Sequence, residues 1–266
     1  MPDYSRYTNL VVEKSDRVAT VTFNRPERLN AIDPVTHREF EEILLDLDSD
    51  QEVNAIILTG AGRAFCAGGD VKNMSERDDG FGGVTRNPTR GGRSLIMNML
   101  EVRQPIIAAL NGDAVGLGAT IALFCDVIIA SETARIGDPH VRVGLVAGDG
   151  GAVIWPALIG VAKAKEYLMT GDLIPAPEAE RIGLINKVVP SGEVMEAAMN
   201  MARRLADGPT MAIQWTKYSV NKLLRSQANL VLDTSLALEA LTFSTEDHRE
   251  AARAFVEKRR PNFKGR

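Results

Sequence analysis

The stretch Asn111–Gly151, NGDAVGLGATIALFCDVIIASETARIGDPHVRVGLVAGDGG, decides how this 266-residue chain is read. Glycines cluster at Gly116–Gly118 and again at Gly148–Gly151, and His140 and Asp149 lie close to the second cluster. Glycine is the residue a chain uses where its backbone turns sharply or passes close to another atom. Between the clusters, Gly116–Phe124 reads as the start of a helix. Val127–Ala130 reads as a short apolar strand covered on both faces.

Working outward, the same unit recurs upstream. Ile106–Leu110 and Ala55–Leu58 are further buried strands, and the second runs into the glycine-rich turn GAGRAFCAGGD (Gly60–Asp70). Leu95–Leu100 reads as helix. Repetition of buried strand, glycine turn and helix argues for an α/β arrangement. At the N-terminus, Leu10–Val12 and Val18–Phe23 read as a hairpin around the polar segment Glu13–Arg17. Pro26 breaks that pattern, and Asp33-Pro34 supplies a cap and first-turn proline for a helix with Phe40, Ile43, Leu44 and Leu47 on one face. Residues 78–92 (DDGFGGVTRNPTRGG) are polar and glycine-rich, either a flap over a pocket or an ordinary surface loop. Beyond Ser191 the spacing predicts only helices: Glu193–Ala206, Thr210–Leu224, Val231–Phe243 and Glu246–Lys258. The chain therefore divides into a mixed core with the active site (1–191) and a helical region (192–266).

Composition narrows the function. Hydrophobic residues make up 45% of the chain, enough for a sizeable core. The net charge of −4, with Arg259-Arg260 making only a short basic tail, gives no electrostatic case for nucleic acid. There is no charged-then-apolar leader and no run of about 18 apolar residues, so the expectation is a cytoplasmic protein without a membrane segment. Cys66 and Cys125 read as buried free thiols, and no cluster has metal-ligand spacing.

Each glycine turn follows a buried strand and precedes a helix, which points main-chain N–H groups outward with the helix dipole behind them. Two such groups aimed at one point make an oxyanion hole. A phosphate cradle is the rival reading, but neither turn matches a P-loop or a complete dinucleotide fingerprint. Plain tight geometry is the third. No G-x-S-x-G nucleophile elbow is present.

The motifs NRPERLNAI (Asn24–Ile32), AFCAGGD (Ala64–Asp70), IIAALNGDAVGLG (Ile106–Gly118), FCDVIIAS (Phe124–Ser131), LMTGDLIPAPEAERIGLINKVV (Leu168–Val189) and AARAFVEKRRPNF (Ala251–Phe263) span nearly the whole chain. In this order they resemble the crotonase (enoyl-CoA hydratase/isomerase) superfamily. The resemblance implies a spiral of ββα units with a helical C-terminal region that joins subunits into trimers or dimers of trimers. It implies an acyl-CoA substrate, with coenzyme A arriving as part of that substrate and no permanently bound cofactor. It assigns the oxyanion hole to the amides of Gly69 and Leu117 and the coenzyme A side to Arg28, Leu29 and Ala67. Arg28 would meet a phosphate or else be a solvated surface arginine. The family usually has glycine where Leu117 stands, so the leucine should narrow the pocket.

A hydratase of this superfamily places glutamates where this chain has Thr120 and His140. His140 is followed nine residues later by Asp149, and a carboxylate beside a histidine fixes its tautomer and raises its basicity. His37 and His248 read as solvated; Asp70, Asp126 and Asp138 read as turn or cap residues; Trp155 lines the pocket or fills the core. Three functions remain open: hydratase/isomerase chemistry on an acyl-CoA, hydrolytic C–C cleavage of a β-dicarbonyl compound as in the superfamily branch that opens cyclic β-diketones, and a non-catalytic binding module, RNA included.

Overall fold

The computed structural model describes residues 2–70 and 88–266, with side chains described from Gly91 onward in the second segment. Most of the stretch read as a flap lies outside these residues, and its last part begins a helix. The N-terminal hairpin pairs β1 (Leu10–Ser15) with β2 (Val18–Phe23) in antiparallel register from Leu10↔Phe23 to Ser15↔Val18. Its turn is only Asp16-Arg17, both left-handed at φ 52° and 63°, the two-residue geometry that suits strand twist. The predicted Glu13–Arg17 loop is thus mostly strand. β1 is an edge strand and buries only Leu10 fully, so its polar residues pair by main chain without needing an apolar pattern. Helix α1 (Pro34–Ser49) begins where expected: the Asp33 carboxylate accepts from Thr36 N at 2.8 Å and Pro34 occupies the first turn.

Three ββα units then wind into a spiral. β3 (Ala55–Gly60) and β4 (Ala64–Cys66) precede α2 (Pro88–Glu101); β5 (Ile106–Leu110) and β6 (Asp113–Val115) precede α3 (Leu117–Leu123); β7 (Val127–Ser131) and β8 (Arg135–Gly137) precede α4 (Gly151–Thr170). The first strand of each pair enters a six-stranded sheet of order β1-β2-β3-β5-β7-β10, and the second enters a four-stranded sheet of order β4-β6-β8-β9. β9 (Ile174–Pro175), α5 (Ala176–Arg181) and β10 (Lys187–Val189) complete both sheets. The asparagine of NRPERLNAI ties the units together. Asn30, buried and left-handed at φ 57°, donates its side-chain amide towards the carbonyls of Ala61, Ala64 and Phe65 across the β3–β4 turn.

Helix α4 carries no helical period in sequence because its first half is apolar all round. Pro156 lies inside it, and Gly160 breaks it at φ 76°, ψ 160°. The C-terminal region follows. Helix α6 (Val194–Ala206) lays Ala198, Ala202 and Ala206 on the outer face of the large sheet, against Ala55, Ile57, Ile107 and Ile129. Small residues at every fourth position let helix and strands approach closely. Helix α7 (Thr210–Thr242) is one continuous element of 33 residues, not the two helices expected. Its polar middle has no glycine or proline to stop it, and Ala228 and Leu232 there are fully buried. Lys217 pins α7 to the core, pairing with Asp126 at 2.7 Å and donating to Gln104 O at 2.8 Å. Helix α8 (Glu246–Val256) is capped by Thr245, which accepts from His248 N. Among the described residues no helix is long and apolar enough to cross a membrane.

Candidate active site

The two glycine turns lie back to back. In the first, Ile32 N donates to Gly68 O and Asp70 N to Ile32 O, so the flanking residues of a parallel bridge make its bonds. The Gly69 N–H therefore points away from Ile32. In the second, Leu117 is the first residue of α3, and its N–H has no acceptor within that helix. A Cβ on Gly68 (φ 87°) would lie 2.7 Å from Val115 O, and one on Gly118 would lie 2.7 Å from the Cβ of Cys66. Glycine is required because the turns touch. Among the described residues, neither the Gly69 nor the Leu117 amide has a main-chain acceptor in these turns. Ala67 N donates to Leu29 O at 3.0 Å, which brings the proposed coenzyme A contacts Leu29 and Ala67 together beside exposed Arg28. Burial pushes the Cys66 thiol up to about 12, so it stays protonated and inert.

His140 opens a 3-10 turn, His140–Val143, that Gly144 closes in the left-handed conformation. Its Cε1 lies 3.6 Å from where a Cβ on Gly116 would stand, which sets the imidazole against the second glycine turn. The ring is bonded at one end and faces carboxyl groups at the other. Nδ1 is hydrogen-bonded to Oδ1 of Asp138, a residue 1% exposed. Nε2 faces Asp149 Oδ2 at 3.5 Å and Glu239 Oε1 at 3.9 Å. One expectation is corrected here: Asp138 is no plain turn residue, since its carboxylate is bonded to His140 Nδ1. The expected neighbour Asp149 does lie beside His140, on the Nε2 side, and its Oδ1 accepts from Thr120 Oγ1 at 3.0 Å.

Glu239 comes from α7, so the helical region beyond residue 191 contributes to the site. No motif marks it. The available signal was its period: Leu232, Ser235 and Leu236 are buried on the same helix face, and Glu239 continues that stripe with a carboxyl group. The glycines of Gly148-Asp-Gly-Gly record how closely these elements meet. A Cβ on Gly148 would lie 2.5 Å from Glu239 Cβ, one on Gly150 2.8 Å from Thr120 Cγ2, and one on Gly151 2.4 Å from Asp138 Oδ2.

The charges follow from this crowding. Burial alone would lower the basicity of His140, but the facing carboxylates of Asp138, Asp149 and Glu239 win and hold it well above its ordinary value. Burial, then the nearby Asp149, pushes Glu239 up to about 8. Burial likewise raises Asp149 against the pull of His140. The cluster thus keeps its protons past neutrality, with a carboxylic acid and an imidazolium side by side; such a set can deliver protons, and it accepts one once His140 has released its own. Asp138, His140 and Asp149 offer donor atoms within 4.8 Å of one another, a grouping their sequence spacing did not signal. With Nδ1 engaged by Asp138, the arrangement is that of an acid–base relay.

Other expected residues fall elsewhere. His37 is partly buried beside Glu41 at 3.5 Å, not solvated; burial lowers it and pushes Glu41 up to about 7. His248 is also partly buried, its Nδ1 bonded to Val143 O at 2.8 Å. Trp155 fills the core.

Known proteins agree with this architecture. The model of the family described as enoyl-CoA hydratase/isomerase matches residues 13–266. The short-chain-enoyl-CoA hydratase of Clostridium acetobutylicum is 39% identical over 97% of this chain and 98% of that protein. A probable enoyl-CoA hydratase of Rhizobium meliloti is 38% identical over 98% of this chain and 99% of its own length. A crystal structure of an enoyl-CoA hydratase/isomerase from Mycobacterium paratuberculosis superposes with a TM-score of 0.88 at 35% identity, covering 94% of this chain and 99% of that one. The sequence, the double-sheet spiral and these similarities place the chain in the enoyl-CoA hydratase/isomerase family, within the crotonase superfamily.

Proposed function

We propose that this protein acts on an acyl-CoA thioester whose carbonyl oxygen lies between the amides of Gly69 and Leu117, with His140 and Glu239 exchanging protons at the neighbouring carbons. The observation that carries this reading is an imidazole, bonded at Nδ1 to Asp138, lying against the second of two adjoining turns whose amides have no main-chain acceptor among the described residues. Negative charge reaching the thioester oxygen as an enolate forms would be met by both N–H groups, and such preorganised donors are worth roughly 10²–10³ in rate each. In a hydration, the neutral form of His140, reached as pH rises past its raised basicity, takes at Nε2 the proton of the water that adds to the β-carbon, with Asp149 beside it. The protonated Glu239 returns one to the α-carbon. The names of the relatives support hydration as the reaction of first choice. Coenzyme A is supplied by the substrate and held on the side of Arg28, Leu29 and Ala67.

A second reading is favoured by one observation, the His140 Nε2 facing two carboxyl groups in place of the hydratase glutamates. Here water deprotonated by His140 attacks a ketone carbon of a β-dicarbonyl compound. The C–C bond then breaks, and Glu239 protonates the departing enolate carbon. In either case the outward apolar residues of α7, among them Trp215, Leu223 and Leu230, suit contacts between copies in a homotrimer or dimer of trimers. Purified protein should be given a series of enoyl-CoAs, β-ketoacyl-CoAs and CoA-free cyclic β-diketones, with His140→Ala as control. Turnover of enoyl-CoA that the variant lacks supports the first reading. Cleavage of a free diketone without acyl-CoA binding replaces it with the second, and no turnover of any of these removes both in favour of a binding module.

A further inference from the structure

We propose that His248 is a positioning residue for His140, acting through the carbonyl of Val143; this rests on the reading of His140 as the proton-transfer group. The backbone accounting of the 3-10 turn leads to it. Pro139 O accepts from Arg142 N at 2.9 Å, His140 O from Leu145 N at 2.9 Å, and Val141 O from Gly144 N at 3.1 Å. Val143 O closes the turn, and His248 Nδ1 bonds to it at 2.8 Å. A carbonyl oxygen has no proton to give, so Nδ1 must be the donor. Both the neutral Nδ1–H tautomer and the imidazolium provide that proton, so the contact is a fixed brace and not a pH switch.

The brace is built at main-chain contact. Gly144 stands at φ 71°, and a Cβ there would lie 2.9 Å from His248 N and 3.0 Å from its Cα. His248 is itself fixed, its N donating to Thr245 Oγ1 at 3.1 Å and its ring edge-on to Phe243 at 5.1 Å. The chain terminus supports the same turn of α8: Asp247 accepts from Lys264 N at 2.6 Å and Gly265 N at 2.8 Å, and donates its own N–H to Arg266 O. Two further bonds hang the following segment on α7, Val146 N to Thr242 Oγ1 at 3.2 Å and Ser235 Oγ to Gly148 O at 2.8 Å. His140 and Asp149 flank the segment held this way. Of the three attachments, the one His248 makes, at Val143, lies closest in sequence to His140 and satisfies the last carbonyl of the turn that carries it.

The test compares His248→Leu, which keeps bulk and loses the donor, with His248→Asn, which keeps an N–H at nearly the same place. Hydrogen bonds that orient metal-ligating histidines are worth about 10–100-fold in activity, and the same scale is taken for a bond that orients a proton-transferring one. His248→Leu should therefore lower kcat by about 10–100-fold with KM changed by less than about threefold, and His248→Asn should recover most of kcat. Both lose the Phe243 ring contact, so their Tm values should fall together. Equal kcat losses in the two variants, or none in either, would overturn the brace. A second readout does not need the substrate: the His140 Nδ1 proton bonded to Asp138 should give a slowly exchanging downfield NMR resonance that His248→Leu broadens and His248→Asn keeps. An unchanged resonance in His248→Leu defeats the proposal even if wild-type turnover has not been found. A wild-type protein inactive on every substrate, with the resonance lost only in the leucine variant, leaves the brace standing and the function reading wrong.

Discussion

Folding carries the carboxyl group of Glu239 out of water and sets it beside Asp149, and the two effects raise it from 4.5 to about 8. In the unfolded chain the same group ionises in the ordinary carboxylate range. A raised acid costs stability as pH rises, because the unfolded state releases a proton that the folded state keeps. The contribution is harmless below about pH 4.5, grows by about 1.4 kcal/mol per pH unit, and levels off above the folded value. At pH 7 the interval from 4.5 sets a ceiling of about 3 kcal/mol. Glutamine has nearly the same shape as the protonated acid and does not titrate. Glu239→Gln should thus leave stability nearly unchanged at pH 5 and raise it by about 1–3 kcal/mol at pH 7, while kcat falls by about 10²–10⁴ through loss of the proton donor. Urea unfolding at pH 5, 7 and 8.5, at one protein concentration, measures the first quantity and initial rates the second. A variant equally destabilised at all three values, or a difference that does not grow with pH, would refute the electrostatic account of the cluster.

Three other perturbations probe separate links. Asp138→Asn removes the charge at His140 Nδ1 and permits the wrong tautomer; kcat should drop by about 10²–10⁴. The histidine limb of the pH–rate profile should also move to lower pH, since one of the carboxylates that raise it is gone. Leu117→Pro deletes one proposed oxyanion donor at a first helical position, where proline is tolerated. Gly116 at φ 54°, ψ −126° can precede it without strain; kcat should fall by about 10²–10³ with little change in Tm. Lys217→Met leaves Asp126 without its cation. Because Asp126 keeps some contact with water, the loss should be about 2–3 kcal/mol, less than for a wholly buried pair, read by denaturant unfolding.

Strands β3, β5 and β7 were legible in the sequence because they are covered on both faces and read as unbroken apolar runs. Their partners β4, β6 and β8 have only three residues each, too few to show a period. Asp138 was misread for a related reason. Its sequence neighbours, a glycine before and a proline after, describe a turn correctly, but that it is buried and bonded to His140 is a tertiary fact. Asp149 was found through its spacing from His140 together with the resemblance that places position 140 in the site, yet neither can tell which imidazole nitrogen it meets. The single helix α7 was cut in two because its middle is polar, although polar residues without glycine or proline do not end a helix that tertiary contacts hold.

Thr120, which stands where the resemblance expects a hydratase glutamate, has a physical reason to be threonine. It is fully buried, its methyl group lies where a side chain on Gly150 would go, and its hydroxyl donates to Asp149. A glutamate at this position would bring a second carboxylate against Asp149 in the same crowded volume, and like charges there cannot both ionise. Threonine at 120 and aspartate at 149 are therefore one choice rather than two. In the proposed mechanism the acid that the first glutamate would have supplied comes instead from Glu239 on α7, whose Cβ lies over Gly148. The close-packed glycines of Gly148-Asp-Gly-Gly follow from the same choice, since each makes room for a different member of the new set: Glu239, Thr120 and Asp138. On this reasoning, Thr120→Glu alone would crowd Asp149 rather than restore a paired-glutamate site, because His140 would still stand at the second position.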